Sequence, residues 1–303
     1  MARQHSRVTP WLFVLPAALL IAIFIVYPTF WTVRLSFYGG QGFSFTRFVG
    51  LDNFVRLLTA DPNFLDLTGF PPRGAVINNI LWLAAYTPLV LAFGLVIAVL
   101  ADKVRYESIV KSVIFLPMAI SATAAAIIWL FVYSPNANIG LLNALLSAFV
   151  PGFQPISWTG SVDLINPAII VAAIWINAGF VMVIFSAALK GIPAEILEAA
   201  RVDGATPLQV FARIQVPLLG PNISVVTVTM IIYVIKMFDL IYVMGGSNGG
   251  PLGAARVIAF TQYVETFNNG RAGYGSAVAV IMLLVVIPIM LLNIRRFRAG
   301  ASA

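Results

Sequence analysis

The chain reads as an all-α membrane protein with six transmembrane helices and both termini on the cytoplasmic side, and three features carry that expectation. Apolar residues (AVILMFWYC) fill 60% of the 303 positions and charged residues only 10%, whereas soluble domains hold about 45–50% and about 25%. Too little polar surface remains to cover a water-soluble globule, and a disordered chain is equally excluded. The few charges also leave long stretches empty: no Asp, Glu, Lys or Arg occurs in 11–33, 74–101, 112–162, 164–189, 214–235 or 272–294. Finally, the Lys and Arg residues gather on alternate connections.

A bilayer core about 30 Å thick is crossed by about 20 apolar residues in a helix. The first span is 11–33. It exceeds the roughly 7–15 residues of a signal-peptide core, and no cleavage site ends it, so Arg3 and Arg7 flank an uncleaved helix. The second span is 77–101. The run 112–162 is too long for one helix, and Ser134-Pro135-Asn136-Ala137-Asn138 breaks it, because Pro and Asn favour turns. The third span is therefore 112–133, and Leu141–Val150 is expected as a short helix at the interface. Spans 165–189, 217–243 and 273–294 complete a single transmembrane domain covering 1–303. With the N-terminus inside, cytoplasmic segments carry 11 Lys and Arg and outer segments 5, while Arg34 and Lys236 fall at or within spans. That bias puts both termini in the cytoplasm and accounts for the net charge of +7 without a nucleic-acid partner. Trp11, Trp31, Tyr133 and Tyr242 at span ends fit either interfacial belts or packing.

The outer segments 36–73 and 134–164 differ in kind: the first holds Gly39-Gly40, Pro71-Pro72 and an amphipathic piece, Leu51–Leu58. With no Cys and one His, at His5, the chain offers no disulfide, no thiolate nucleophile and no imidazole cluster. No metal, cofactor or catalytic residue is expected.

The connection 190–216 is the long cytoplasmic one. Gly191 stands where a helix C-cap would and Pro193 at a first helical position; Ala194–Asp203 is rich in helix formers. Gly204 permits a backbone turn that a β-carbon resists, and Thr206-Pro207 is an N-cap followed by N1, opening a second helix over Leu208–Ile214. Leu197, Val202, Leu208, Val210 and Phe211 are left to face something apolar, either the membrane surface or a partner.

Glu198-Ala199-Ala200, three residues, Gly204, nine residues and Ile214-Gln215-Val216-Pro217 resemble the EAA loop, E-A-A-x3-G-x9-I-x-L-P, of ABC importer permeases, with Val216 for Leu as the one departure. Gly50-Leu51-Asp52-Asn53-Phe54, Phe238-Asp239-Leu240-Ile241-Tyr242-Val243, Gly249-Gly250-Pro251 and Gly273-Tyr274-Gly275-Ser276-Ala277 resemble the sugar-type branch related to the maltose and glycerol-phosphate permeases. The resemblance implies that 191–217 forms coupling helices docking on a cytoplasmic ATPase dimer, through Glu198, Ala199, Ala200, Asp203, Gly204, Ile214 and Pro217. It also implies a second, similar permease, an extracytoplasmic substrate-binding protein and a sugar. The loop 245–251 is then either part of that protein's dock or a plain flexible turn. No G-x-x-x-x-G-K-S/T occurs, so ATP would be hydrolysed by the partner subunit and this chain is no enzyme.

Polar groups inside spans are costly and often mark a pathway. Lys236 and Asp239, at i and i+3, are expected on one helix face, either pairing structurally or meeting solute. In the resembling maltose permease the sugar is held by spans four and five, at positions falling on or near Asn177, Phe180, Met230, Tyr233, Val234 and Met237. The candidate pathway is thus Asn177, Phe180, Tyr233, Lys236, Met237 and Asp239. A phosphate solute such as glycerol 3-phosphate would call for several cations, and only Lys236 offers itself. A membrane enzyme would need clustered acids, His or Cys; an ion-coupled carrier would need deep carboxylates in several spans, where only Asp239 qualifies.

Overall fold

The computed structural model describes residues 9–68, 73–136 and 138–301. Arg3, His5, Arg7, Pro71-Pro72, Ala137 and the side chains of Trp11, Arg296 and Arg298 lie outside the described residues.

The fold is helical. Helix α1 (Thr9–Ile21) continues through a π-helical turn, Ala22–Val26, into Tyr27–Leu35. A two-residue hairpin follows, β1 (Tyr38–Gly39) and β2 (Arg47–Phe48), paired antiparallel with Tyr38 opposite Phe48. Next come α2 (Asp52–Thr59), α3 (Ala75–Ala101), α4 (Glu107–Phe115), α5 (Ala122–Val132), α6 (Leu141–Phe149) and α7 (Ile165–Lys190). The remainder is α8 (Ala194–Val202), α9 (Pro207–Val210), α10 (Gly220–Ile235), α11 (Asp239–Gly245), α12 (Ile258–Tyr263) and α13 (Ala272–Ala301).

The described chain divides into two compact units, Met1–Ala60 with Gln262–Leu283, and Asp61–Thr261 with Leu284–Ala303. In the first, an aromatic cluster closes the hairpin: Phe45 meets Trp31 at 4.7 Å and Tyr38 at 5.0 Å, and Arg34 lies 4.5 Å over its ring. The Asn53 amide on α2 donates to the carbonyls of Ser36 (2.8 Å) and Tyr38 (3.0 Å). Buried Glu265 pairs with Arg271 at 2.6 Å.

The second unit is built on α7, the most buried of its long helices, which packs along α3. Gly94 makes the crossing possible: a β-carbon there would lie 2.6 Å from Val181 Cβ. Trp82 Nε1 donates to Asn166 Oδ1 at 3.0 Å, so a polar pair inside the apolar core is satisfied rather than orphaned. The same Asn166 donates to the Ala254 carbonyl (2.8 Å), and Asn78 to those of Ala254 and Arg256 (2.9 and 2.8 Å). The Gly-rich run 245–251, expected as a flexible loop, therefore leads through 3-10 turns into a segment stapled to α3 and α7. Tyr133, open above to either a belt or a packing role, packs: it is buried and its hydroxyl donates to the Ala168 carbonyl at 3.0 Å.

Four described helices are long and apolar enough to cross a membrane: Phe13–Leu35, Ala75–Ala101, Ile165–Lys190 and Ala272–Leu291. Two bent pairs raise the number to six if each is one span. Two of the spans read from the sequence are bent in the structure. Stretch 112–133 is no single helix: Glu107–Ala119 and Ala122–Val132 meet at 101°. A 3-10 turn at Leu116–Ala119 and extended Ile120 end one segment, and Ser121 caps the next by accepting the Ala124 N–H at 3.2 Å. Stretch 217–243 is broken twice. Pro207–Leu218 and Gly220–Ile235 differ in direction by 67°, with Pro221 restarting the helix, and the chain leaves helical geometry again at Lys236–Phe238. Leu141–Val150 and Leu51–Leu58 do contain the short helices α6 and α2.

Candidate functional site

The loop 191–217 folds as a helical hairpin, and its turn follows from local chemistry. α8 ends at Val202, with Gly204 at φ +82°. The Ala205 N–H donates to the Ala200 carbonyl at 3.0 Å and the Gly204 N–H to that of Arg201 at 3.1 Å. That pair is a Schellman motif, which satisfies two otherwise open helix-end carbonyls and requires a residue tolerant of the left-handed region. One residue later Thr206 Oγ1 accepts the Gln209 N–H (3.4 Å) while Gln209 Oε1 accepts the Thr206 N–H (2.8 Å), a capping box that contributes about 1 kcal/mol. Pro207 fills N1 as expected, but Pro193 sits one place earlier than expected, as the N-cap of α8. From α9 a π-helical turn, Phe211–Gln215, and Val216–Leu218 lead towards α10.

Glu198, Ala199, Asp203, Gly204 and Pro217 are exposed, Ile214 is half-buried, and Ala200 is buried beneath the turn. Val202 and Leu208 are 87% and 74% exposed. Val210, left by the sequence to face something apolar, is buried, and it borders a cavity with Val99 and Leu189 near the ends of α3 and α7. Leu197 and Phe211 are half-covered. Among the described residues, no ion pair occupies Glu198. The hairpin thus presents two apolar tips, each stabilising a complex by about 1.5–3 kcal/mol if fully buried, beside a free carboxylate.

The candidate pathway residues gather in part. A cavity of about 360 Å³ is lined by Tyr233, Lys236, Met237 and Asp239, with Thr229 and Phe238. Asn177, buried on α7, donates to the Ala173 carbonyl at 2.9 Å and meets the Tyr233 hydroxyl. Tyr233 in turn stacks on Tyr86, ring centroids 5.6 Å apart. Phe180 is half-buried on α7 and outside this lining, and Met230 and Val234 are buried in packing. Lys236 and Asp239 do not share a helix face: Lys236 ends α10, Asp239 opens α11, and non-helical Phe238 separates them. No ion pair joins them among the described residues, and both are exposed to the cavity. Sequence reasoning missed Tyr86 and Phe238; a tyrosine inside the apolar span 77–101 was the available signal for the first.

A second missed feature lies where α3, α4 and α7 end. Lys111 donates to Asp102, Glu107 and Ser186; Ser186 Oγ donates to Asp102 at 2.7 Å; and Lys190 pairs with Glu107. One buried hydroxyl and four charged groups thereby pin three helix ends together.

Apolar spans, two of them broken, a cavity bordered by Lys236 and Asp239, and an exposed helical hairpin are the features of a multi-span permease. The binding-protein-dependent transport system inner membrane component family matches residues 90–295, and the chain belongs to that family. It is 45% identical over 292 residues to the osmoprotective compounds uptake permease protein GgtC of Synechocystis sp., covering 95% of this chain and 98% of that one. It is 41% identical over 298 residues to the alpha-glucoside transport system permease protein AglF of Rhizobium meliloti, covering 97% and 83%. In fold it is similar, at TM-score 0.78 and 22% identity over 94% of this chain and 92% of the other, to a chain of a bacterial alginate ABC transporter in complex with an alginate pentasaccharide-bound periplasmic protein.

Proposed function

We propose that this chain is one permease half of an ATP-driven, binding-protein-dependent importer for a sugar or small oligosaccharide, an α-glucoside in particular. It sits in the cytoplasmic membrane of a prokaryote with both termini inside. The other half is a second, similar permease. An ATPase dimer binds the cytoplasmic face, an extracytoplasmic protein delivers the solute, and this chain holds no cofactor. The observation that carries the reading is the hairpin 194–218, whose turn is locked by Gly204 while Val202, Leu208 and Glu198 stay uncovered. An amphipathic helix of this kind buries apolar anchors in a partner's groove.

Closure of the ATPase would move the hairpin, and the movement would pass through α9 into α10, which carries Tyr233 to the cavity. Lys236 and Asp239 give that cavity one charge of each sign, which suits hydroxyl-rich solutes better than a phosphate ester. Asn177 and Tyr233 supply an amide and a ring, the groups that hold sugar hydroxyls and C–H faces. Alternating access follows if outward- and inward-open states bind ATP with different affinity.

The test is purification of the tagged chain from native membranes with assay of the eluate for ATP hydrolysis. A stoichiometric ATPase released by Glu198→Ala supports the reading. Recovery of the chain alone, with no nucleotide hydrolysis, refutes it.

A further inference from the structure

At the joint between the hairpin and the helix ends lies a cavity of about 330 Å³ that the transport reading does not use. Its volume falls in the range of small-ligand sites, about 300–1,000 Å³. Lys103, Lys190 and Arg201 line it together with the Gln215 amide. Val99, Leu189, Val210 and Phe211 give the same lining an apolar part. Asp102 also borders it, but that carboxylate is taken by Lys111 and Ser186. Glu107 is likewise taken, by Lys111 and Lys190. Among the described residues, neither Lys103 nor Arg201 forms an ion pair. Of the charged side chains that line the cavity, Asp102 and Lys190 are thus paired, while Lys103 and Arg201 are left over.

The surroundings are equally two-natured. Val104, Tyr106 and Ile109, on the segment just beyond Lys103, are 44%, 65% and 64% exposed. A ligand matched to this place carries a phosphate next to hydrocarbon. Basic pockets between helix ends on the cytoplasmic side are where anionic headgroups settle.

We infer that the cavity lined by Lys103, Lys190 and Arg201 binds the phosphate of an anionic phospholipid. The lipid would bridge α3, α7 and the α8–α9 hairpin, so its presence tunes how firmly the hairpin is held to the bundle. The inference rests on the proposed cytoplasmic placement of this end. It adds a ligand that takes no part in solute recognition.

The experiment uses the full chain, extracted and exchanged into mixed micelles holding phosphatidylglycerol and phosphatidylcholine in equal amounts. Retained lipid is read by native mass spectrometry. The expected result is selective retention of phosphatidylglycerol, with preference falling about 10- to 30-fold in Lys103→Gln/Arg201→Gln and kept in the charge-conserving Lys103→Arg/Arg201→Lys. Equal retention of both lipids by the wild-type chain, or unchanged preference in the Gln pair, overturns the site. Displacement of the lipid by millimolar inorganic phosphate overturns the lipid assignment in favour of a soluble phosphate compound. Retention by the isolated chain but not by the chain purified with its ATPase assigns the cavity to a partner's acidic side chains instead. Micelles have no sides, so a failure here is separate from a failure of orientation. Orientation is read independently with Val104→Cys, the sole thiol in a chain with 0 Cys, labelled from either side of the membrane.

Discussion

Replacing Gly204 separates the conformational part of the hairpin's role from its chemistry. A β-carbon built at Gly204 meets nothing within 4 Å, so packing contributes no cost. The backbone does: φ is +82°, where an alanine is disfavoured by about 1–2 kcal/mol. The turn cannot relax away from that angle without giving up the Gly204–Arg201 and Ala205–Ala200 hydrogen bonds, each contributing about 0.5–1.5 kcal/mol. Gly204→Ala should therefore keep the turn in a smaller fraction of molecules, by about 5- to 30-fold. Asn tolerates the left-handed region, so Gly204→Asn should retain most activity. Asp tolerates it too, yet Gly204→Asp sets a second carboxylate beside Asp203 on the exposed face and should abolish uptake while the protein still inserts. The assay is initial uptake of a labelled α-glucoside by cells carrying the complete transporter, normalised to the amount of this chain in the membrane. Equal loss in Ala and Asn would refute the conformational argument, and normal uptake by the Asp variant would sink the coupling role.

Other perturbations test other parts of the molecule. Leu208→Ala, at a 74% exposed position, should leave folding unchanged but weaken retention of the ATPase by about 1–2 kcal/mol, measured as its dissociation from immobilised permease. Gly94→Ala forces a β-carbon to 2.6 Å from that of Val181 and should lower the thermal midpoint in detergent by the equivalent of about 1–3 kcal/mol; adding Val181→Ala should recover part of it. Tyr233→Phe and Asp239→Asn should each raise the solute concentration for half-maximal uptake about tenfold or more while solute-independent ATP hydrolysis stays unchanged, because a bound hydroxyl loses its partner.

The parts of the fold visible in the sequence are those that local chemistry decides. Gly204 and Thr206-Pro207 announce the hairpin because a Schellman turn and a capping box are each built from residues a few places apart. The direction of a helix is another matter. Residues 112–133 stay free of charge through the 101° bend, since Pro117 and Ser121 change course without changing hydropathy. Periodicity failed at Lys236 and Asp239 for the same reason: a count of three residues presumes an unbroken helix, and Phe238 breaks it. The pairing of Asn177 with Tyr233, and of Lys111 with Asp102 and Ser186, depends on how distant helices cross, which no local pattern encodes.

The π-helical turn at Phe211–Gln215 carries one residue more than α-helical register needs. Each residue of a helix advances the chain by about 100° around its axis. An extra residue left in α-helical geometry would turn everything beyond it by that angle, and the π turn takes it up locally instead. Inserting one further residue beside it, with no second bulge to take it up, would swing the face bearing Glu198 by about 100° relative to α10 with every existing residue kept. Alignment of hairpin and cavity is thus a matter of counting, and a single-codon insertion could uncouple two surfaces that no substitution had touched.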